Sequence, residues 1–279
     1  MKMLNLGCGG CFHRDWVNLD LNPQDAAVKR HDLAKPLPFD DRSCDVVYHS
    51  HVLEHIPRTH GSAFLAECFR VLRPGGVIRV VVPDLERIIQ DYQQAVEDLD
   101  SNTDAQLAGL RHEWSLIQLL DQCVRTGSGG AYNSFLQQVP PELTEYLEQR
   151  TGSEVIAKQA APQAALRRPD MVCFPSFSTL WKSPRTFRNH IREWLLLRLL
   201  GHEYSRLQLG RFRSSGEIHQ WMYDRHSLRR LLSEVGFSSC TVKGAHESRV
   251  QNWSSYQLDT RANGSIRKPD SLFMEGLRP

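Results

Sequence analysis

The stretch Met3-Leu4-Asn5-Leu6-Gly7-Cys8-Gly9-Gly10 places a short apolar run directly before a glycine-rich turn. A run of this length, closed by turn residues, predicts a buried strand. Because glycine has no Cβ and reaches positive φ without strain, the backbone at Gly7 and Gly9 can approach a ligand closely. By itself the pattern fits a plain tight turn equally well.

Comparable runs recur along the chain and predict further strands at residues 16–19, 27–30, 44–48, 77–82, 240–242 and 271–275. Apolar residues at helical spacing predict a helix over 62–72, stopped by Pro74-Gly75-Gly76. A second helix is predicted between the N-cap Asp224 and Gly236. Short strands broken by helices indicate an α/β fold with a doubly wound, mostly parallel sheet of seven strands.

The middle of the chain differs, because the strand pattern disappears between about residues 93 and 215. Helical stretches at 104–125, 142–150 and 186–200 predict a helical insertion or lid over 93–215, and the core then comprises residues 1–92 and 216–279. The second half of the insertion is basic, which fits either a solvated face or a surface for an anionic substrate. Its basic residues are Arg167, Arg168, Lys182, Arg185, Arg188, Arg192, Arg198, Arg206, Arg211 and Arg213.

The composition is that of an ordinary globular chain, with 41% hydrophobic and 24% charged residues among 279. A net charge of +2 is too small to argue for a nucleic-acid surface. No run of about 18 apolar residues is present and Met1 leads straight into a predicted strand, so we expect a cytoplasmic protein without a membrane span. Seven scattered cysteines indicate reduced thiols. Cys8 and Cys11 form a C-x-x-C, which leaves redox or metal use open.

The second predicted strand ends at Asp20, where a carboxylate can accept both hydroxyls of a ribose. The pyrophosphate-binding pattern G-x-G-x-x-G would need glycine at position 12, which is Phe12. The sequence therefore favours a nucleoside ligand without a pyrophosphate over a dinucleotide.

Five segments stand in order over residues 3–84. They are Leu4-Asn5-Leu6-Gly7-Cys8-Gly9, Trp16-Val17-Asn18-Leu19-Asp20, His31-Asp32-Leu33 before Leu37-Pro38-Phe39, Ser50-His51-Val52-Leu53-Glu54-His55 and Arg70-Val71-Leu72-Arg73-Pro74-Gly75-Gly76. Together they resemble the class I S-adenosylmethionine-dependent methyltransferase family, most closely its small bacterial methyltransferase-11-like branch.

This resemblance implies a Rossmann-like fold, methyl transfer as the activity and S-adenosyl-L-methionine as the cofactor. The glycine turn would lie behind the methionine and ribose, Asp20 would hold the ribose, and residues 49–51 would face the sulfonium. Asp32 and Leu33 would lie beside the adenine, although a loop cap and a core residue remain open as their roles. The cofactor-binding residues that the resemblance implies are Gly7, Cys8, Gly9, Asp20, Leu21, Asp32, Leu33, Ser50 and His51.

One departure from the family lies between the first two predicted strands. Only residues 10–15 separate them after the glycines, whereas parallel neighbours usually need a crossover of about a dozen residues or more. We therefore expect the family's first helix to be cut to about one turn.

Methyl transfer is an in-line displacement at an activated carbon, so the protein must mainly align the two reactants and exclude water. A hydroxyl acceptor would also benefit from a general base. The histidine spacing equally fits substrate contacts, buried histidines or a metal site, and we assign no residue to a metal. The candidate catalytic residues are His51, His55, Asp84 and His219.

The function that these features favour is methylation, at oxygen, of a small-molecule or carbohydrate-like acceptor such as a glycan precursor. The resemblance to enzymes of surface-glycan and natural-product assembly suggests that acceptor class. Two alternatives stay open. One is a cofactor-binding protein without transferase activity, and the other is a nucleic-acid methyltransferase that uses the basic insertion. The sequence leaves the oligomeric state undetermined.

Overall fold

A mixed sheet of seven strands forms the centre of the computed structural model, which describes residues 1–101, 104–153 and 184–279. The sheet order is β3-β2-β1-β4-β5-β7-β6. Strands β1 to β5 are parallel to one another, and β7 runs antiparallel between β5 and β6. The predicted fold class is therefore confirmed. The strands are β1 (Met3–Leu6), β2 (Val17–Asp20), β3 (Val28–Arg30), β4 (Cys44–Ser50), β5 (Leu72–Pro83), β6 (Ser238–Lys243) and β7 (Ser271–Leu277).

The helices of the described residues agree in part with the predictions. The expected helices at 104–125, 142–150 and 186–200 are present, whereas the helices Leu85–Asp100, Gly130–Leu136 and Glu203–Arg213 were not predicted. Within the described ranges, no helix is long and apolar enough to cross a membrane. The helices are α1 (Arg58–Val71), α2 (Leu85–Asp100), α3 (Ala105–Leu116), α4 (Gly130–Leu136), α5 (Pro141–Thr151), α6 (Pro184–Leu200), α7 (Glu203–Arg213) and α8 (Arg225–Val235). A π-helical stretch (Ile117–Asp121) and a last turn (Gln122–Val124) prolong α3, and 3-10 turns lie at Leu53–His55 and Trp253–Tyr256.

Helix α1 ends earlier than the glycines that were expected to stop it. Its last residue is Val71, and β5 begins at once with Leu72, so Pro74-Gly75-Gly76 lies inside the strand. At Gly76 a Cβ would stand 2.8 Å from the carbonyl oxygen of Arg73, which explains the need for glycine there. The expectation that this tripeptide ends the helix is wrong.

The two faces of the sheet bury separate cores, because successive strand residues point to opposite sides. On one face, Leu6 and Val47 pack with Phe64 and Leu65 of α1 and with Leu228 of α8. On the other face the core includes Met3, Trp16, Tyr48, Trp253 and Phe273. The second face is thus covered largely by the segment that follows β6.

Residues 7–16 join β1 to β2 without any helix, so the expected one-turn helix is wrong. Trp16 fills the space with an aromatic cluster, its ring centroid lying 6.0 Å from that of Trp253 and 5.3 Å from that of Tyr256. A buried aromatic ring removes roughly 150–250 Å² from water. This burial replaces the contacts that a crossover helix would have made with the sheet.

Buried charges tie the same C-terminal segment to the sheet. The Arg79 side chain, which has 0% exposure, donates to Asp259 at 2.7 Å and to Glu275 at 2.9 Å. The hydroxyl of Tyr48 donates to the other oxygen of Asp259 at 2.7 Å. Because each buried charge has an opposite partner, the network fixes the position of the segment before β7.

The insertion has a small core of its own, built by Trp114, Leu136, Leu143 and Leu147. The loop before α4 is held by polar contacts, since Asp121 accepts from Ala131 N at 2.8 Å and Glu217 accepts from Gly129 N at 3.0 Å. Glu193 pairs with Arg192 and Arg211 of the basic half. Arg167, Arg168 and Lys182 lie outside the described residues, as does the side chain of Arg185.

Candidate active site

A cavity of about 440 Å³ opens at the carboxyl edge of the sheet, where the parallel strands β1 and β4 end. Ligand pockets of proteins commonly measure about 300–1,000 Å³, so the volume suits a nucleoside-sized molecule. No described residue of the insertion lines the cavity. Its walls include the turn at residues 7–11, the end of β4 at Ser50 and His51, and the later residues Leu258, Asp259, Arg267 and Lys268.

The turn after β1 requires its glycines, as the sequence predicts. Gly7 and Gly9 adopt φ values of +64° and +52°, and Gly7 N donates to Leu19 O at 2.8 Å. A Cβ on Gly7 would lie 2.5 Å from Cγ2 of Val52, whereas a Cβ on Gly9 would meet nothing within 4 Å. Gly7 therefore leaves room for the Val52 side chain, and Gly9 presents bare backbone to the cavity.

Asp20 shapes this turn from the end of β2. Its Oδ2 accepts from Gly9 N at 2.8 Å and its Oδ1 accepts from Asn22 N at 2.8 Å. The carboxylate stands outside the cavity wall, as does Leu21, which is 49% exposed. Each oxygen retains a further lone pair, so the ribose contact stays a prediction.

Asp32 and Leu33 also lie outside the cavity wall. Asp32 accepts from Ala34 N at 3.0 Å and so caps its own loop. Leu33 packs on the core beside Gly7, where a Cβ would lie 3.6 Å from its Cδ1. Both residues thus have structural roles, and their contact with an adenine stays a prediction.

His51 lines the cavity with an unusual backbone, since its φ of +54° is rare outside glycine. Its Nδ1 lies 3.1 Å from Glu54 Oε1 and its Nε2 lies 2.9 Å from Ser271 Oγ. Burial and the nearby Lys268 lower the pKa of His51. A strained residue held from both sides at a cavity is typical of a functional site.

Glu54 gathers three of the four candidate catalytic residues. His51 contacts its carboxylate, and the rings of His55 and His219 stack edge to face beside it at a centroid distance of 4.9 Å. Burial raises the pKa of Glu54, but the neighbouring histidines outweigh it and hold the pKa well below its usual range. His49, also fully buried, packs its ring against Phe64. Glu54 was not among the predicted site residues, although it lies in the segment at residues 50–55 that resembles the family.

Asp84, the fourth candidate, does not join the other three. It is the N-cap of α2 and accepts from Glu86 N at 3.0 Å and from Arg87 N at 3.4 Å. Burial raises the pKa of its carboxyl, and the side chain does not line the cavity. The structure thus gives Asp84 a capping role.

Comparison with known proteins gives a family for the first part of the chain. A family model described as Methyltransferase domain matches residues 4–80. A probable S-adenosylmethionine-dependent methyltransferase of Mycolicibacterium smegmatis is 47% identical over 55 residues, covering 20% of this chain and 21% of its own. A phthiotriol/phenolphthiotriol dimycocerosates methyltransferase of Mycobacterium leprae is 45% identical over 75 residues, covering 22% and 26%. The chain therefore spans only about a quarter of either relative.

Among solved structures, a SAM dependent methyltransferase from Archaeoglobus fulgidus is similar with a TM-score of 0.38 and 10% identity, over 99% of this chain and 86% of that one. The cofactor of the matched family is S-adenosylmethionine. Residues 4–80 therefore match the methyltransferase domain family, and the seven-stranded sheet that they begin has the order expected from the resemblance to class I S-adenosylmethionine-dependent methyltransferases.

Proposed function

We propose that the protein transfers a methyl group from S-adenosylmethionine to a hydroxyl of a small-molecule or carbohydrate-like acceptor. The observation that carries the proposal is the cavity at the carboxyl edge of the sheet, which has the glycine turn on one side and His51 on the other. Ligands of doubly wound sheets bind at this edge. The cavity thus offers one place for both the cofactor and a base.

The residues of the cavity fit the cofactor. Gly9 is free of neighbours at the position of a Cβ, so the methionine and ribose can lie against bare backbone. Asp20 lies next to this backbone, because its carboxylate accepts a hydrogen bond from Gly9 N. When bound, the cofactor supplies a methyl group already activated by the sulfonium, and the chain's own residues have to orient the acceptor and remove its proton.

His51 is the residue placed to remove that proton. If Nδ1, which lies 3.1 Å from Glu54 Oε1, keeps its hydrogen, Nε2 carries the lone pair that now faces the Ser271 hydroxyl. An acceptor hydroxyl that takes the place of Ser271 could pass its proton to the same nitrogen. General bases of this kind contribute about 10²–10⁴-fold to the rate.

The acceptor class rests on the name of one relative. The name of the Mycobacterium leprae relative specifies phthiotriol, an alcohol, as part of its acceptor, which agrees with transfer to oxygen.

Calorimetry with S-adenosylhomocysteine tests the cofactor step. We expect saturable binding, and Asp20→Ala should weaken it by more than about tenfold, or 1.4 kcal/mol, because a charge-assisted contact is lost. Asp25→Ala is the matched control, since Asp25 is an exposed aspartate of the next loop that also accepts from backbone. Equal affinity in the two variants would remove Asp20 from the binding site.

Labelled S-adenosylmethionine and a cell extract test the transfer step. We expect label in a small-molecule fraction, and His51→Gln should slow transfer by about 10²–10⁴-fold at saturating cofactor. Bound cofactor without any labelled product would favour the binding protein without transferase activity. Label in the nucleic-acid fraction would instead favour the nucleic-acid enzyme.

A further inference from the structure

We propose that Glu54, His55 and His219 form a binding site for a divalent transition-metal ion. Each residue offers one ligand atom, and these atoms all lie within 4.8 Å of one another. The inference does not depend on methyl transfer, because it concerns a site behind the cavity wall that can bind an ion with or without the cofactor.

Two distant segments of the chain build this site. Glu54 and His55 lie in the 3-10 turn after β4, and His219 lies in the segment that returns from the insertion. The backbone fixes the meeting point, since Gln220 N donates to Glu54 O at 2.6 Å and His219 N donates to Gln122 O at 2.9 Å. The three side chains are therefore held together by main-chain contacts that do not involve them.

Unpartnered buried atoms give an independent reason to expect a ligand. Glu54 has 0% exposure, yet neither carboxylate oxygen accepts a hydrogen bond of good geometry, although Oε1 lies 3.1 Å from His51 Nδ1. His219 is 4% exposed and its Nδ1 has no partner. An ionised carboxylate deprived of water is costly unless it is paired or coordinates a metal. A cation between these residues would compensate both groups.

The contacts of His55 set its tautomer as a metal ligand requires. Its Nδ1 lies 2.9 Å from the carbonyl oxygen of Ile218, which can only accept, so Nδ1 carries the proton. The lone pair is then on Nε2. Metal-binding histidines characteristically donate their other N–H to a carbonyl or carboxylate, and His55 has this arrangement.

The donor set indicates the class of ion. Two imidazoles and one carboxylate suit Zn²⁺ and its transition-metal neighbours, whereas Mg²⁺ and Ca²⁺ prefer oxygen ligands. Zn²⁺ binds such atoms at about 2.0–2.2 Å, which places tetrahedral ligand atoms about 3.4 Å apart, so modest side-chain rotation would close the site. Three protein ligands leave a fourth position open to water or to an acceptor atom.

Metal titration of the purified full-length protein tests the proposal. After treatment with a chelator, the protein is titrated with Co²⁺ by visible absorption and with Zn²⁺ by calorimetry. We expect one ion per chain, with d–d bands for Co²⁺. Glu54→Gln and His219→Gln should each weaken binding by more than about a hundredfold, beyond the effect of losing an outer-shell partner. His226→Gln, at an exposed histidine of α8, should bind as the wild type does.

Three outcomes would overturn the site. One is the absence of stoichiometric binding to the wild type, and another is unchanged affinity in both variants. The third is loss of binding in Cys11→Ser alone, which would place the ion at the C-x-x-C. If Glu54→Gln fails to fold, the wild type still decides, because a specific ion must raise its melting temperature in proportion to the logarithm of metal concentration. No rise would refute the proposal.

Discussion

Substituting Gly7 by alanine tests two requirements of the turn after β1, a positive φ and the absence of a Cβ. An alanine there must hold a φ of +64° and place its Cβ 2.5 Å from Cγ2 of Val52. The left-handed conformation costs about 1–2 kcal/mol without glycine, and the steric overlap adds about 1–3 kcal/mol, as overpacking usually does. Gly7→Ala should thus lower the free energy of unfolding by about 2–5 kcal/mol.

Gly9→Ala is the matched control for this experiment. Its φ of +52° carries the same conformational cost, but its Cβ meets no atom within 4 Å, so the loss should stay near 1–2 kcal/mol. Because Gly9 lines the cavity, this variant should nevertheless lose affinity for S-adenosylhomocysteine.

Urea unfolding of the two variants, with linear extrapolation to water, measures the difference. In Gly7→Ala, the further change Val52→Ala should restore part of the stability, because it removes the methyl group that the new Cβ meets. A Gly7→Ala variant that is no less stable than Gly9→Ala, or that Val52→Ala does not rescue, would contradict a steric clash at Gly7.

Three further predictions concern stability and motion. Burial lowers the pKa of His49 to about 4, so the unfolded chain binds this proton first and the free energy of unfolding falls as the pH drops from 6.5 to 4. Unfolding measured at both pH values should show a smaller fall in His49→Leu than in the wild type, by roughly 3 kcal/mol at about 1.4 kcal/mol per pKa unit. Arg79→Ala should cost about 3–5 kcal/mol in urea unfolding, because it leaves the buried Asp259 without its cation and Glu275 with only Arg249, at 3.9 Å. A loss below about 1 kcal/mol would contradict this. If the insertion is a lid, hydrogen exchange should be fast there and should slow with cofactor plus acceptor, whereas protection already equal to that of β5 would make it scaffold.

Local signals made some elements predictable from sequence. Asp224 begins α8 with a capping box that includes Ser227, and Gly236 ends the helix at a φ of +113°. Both signals act within a few residues of the chain. Helix α2 has the same kind of start at Asp84, but its position at the end of a strand suggested a catalytic carboxylate instead. One carboxylate at a strand end can have either role, and only its contacts decide between them.

Contacts between distant segments limit how much of the candidate site can be predicted from the sequence. The histidines were candidates from the start, yet their convergence on Glu54 depends on where the segment carrying His219 re-enters the core. Nothing near Glu54 in the sequence encodes the approach of Gln220 to its carbonyl oxygen. The replacement of a crossover helix by Trp16, Trp253 and Tyr256 is equally non-local. Such features require the folded chain.

The cavity wall built by Leu258 and Asp259 has a consequence for synthesis on the ribosome. Asp259 bonds Tyr48 across 211 positions, and Leu258 O accepts from Cys11 Sγ across 247. Because translation adds about 5–20 residues per second, the nascent chain exposes the glycine turn, Trp16 and Tyr48 for tens of seconds before the wall can dock. A ligand that binds in this cavity could therefore stabilise the fold only after the wall has been translated.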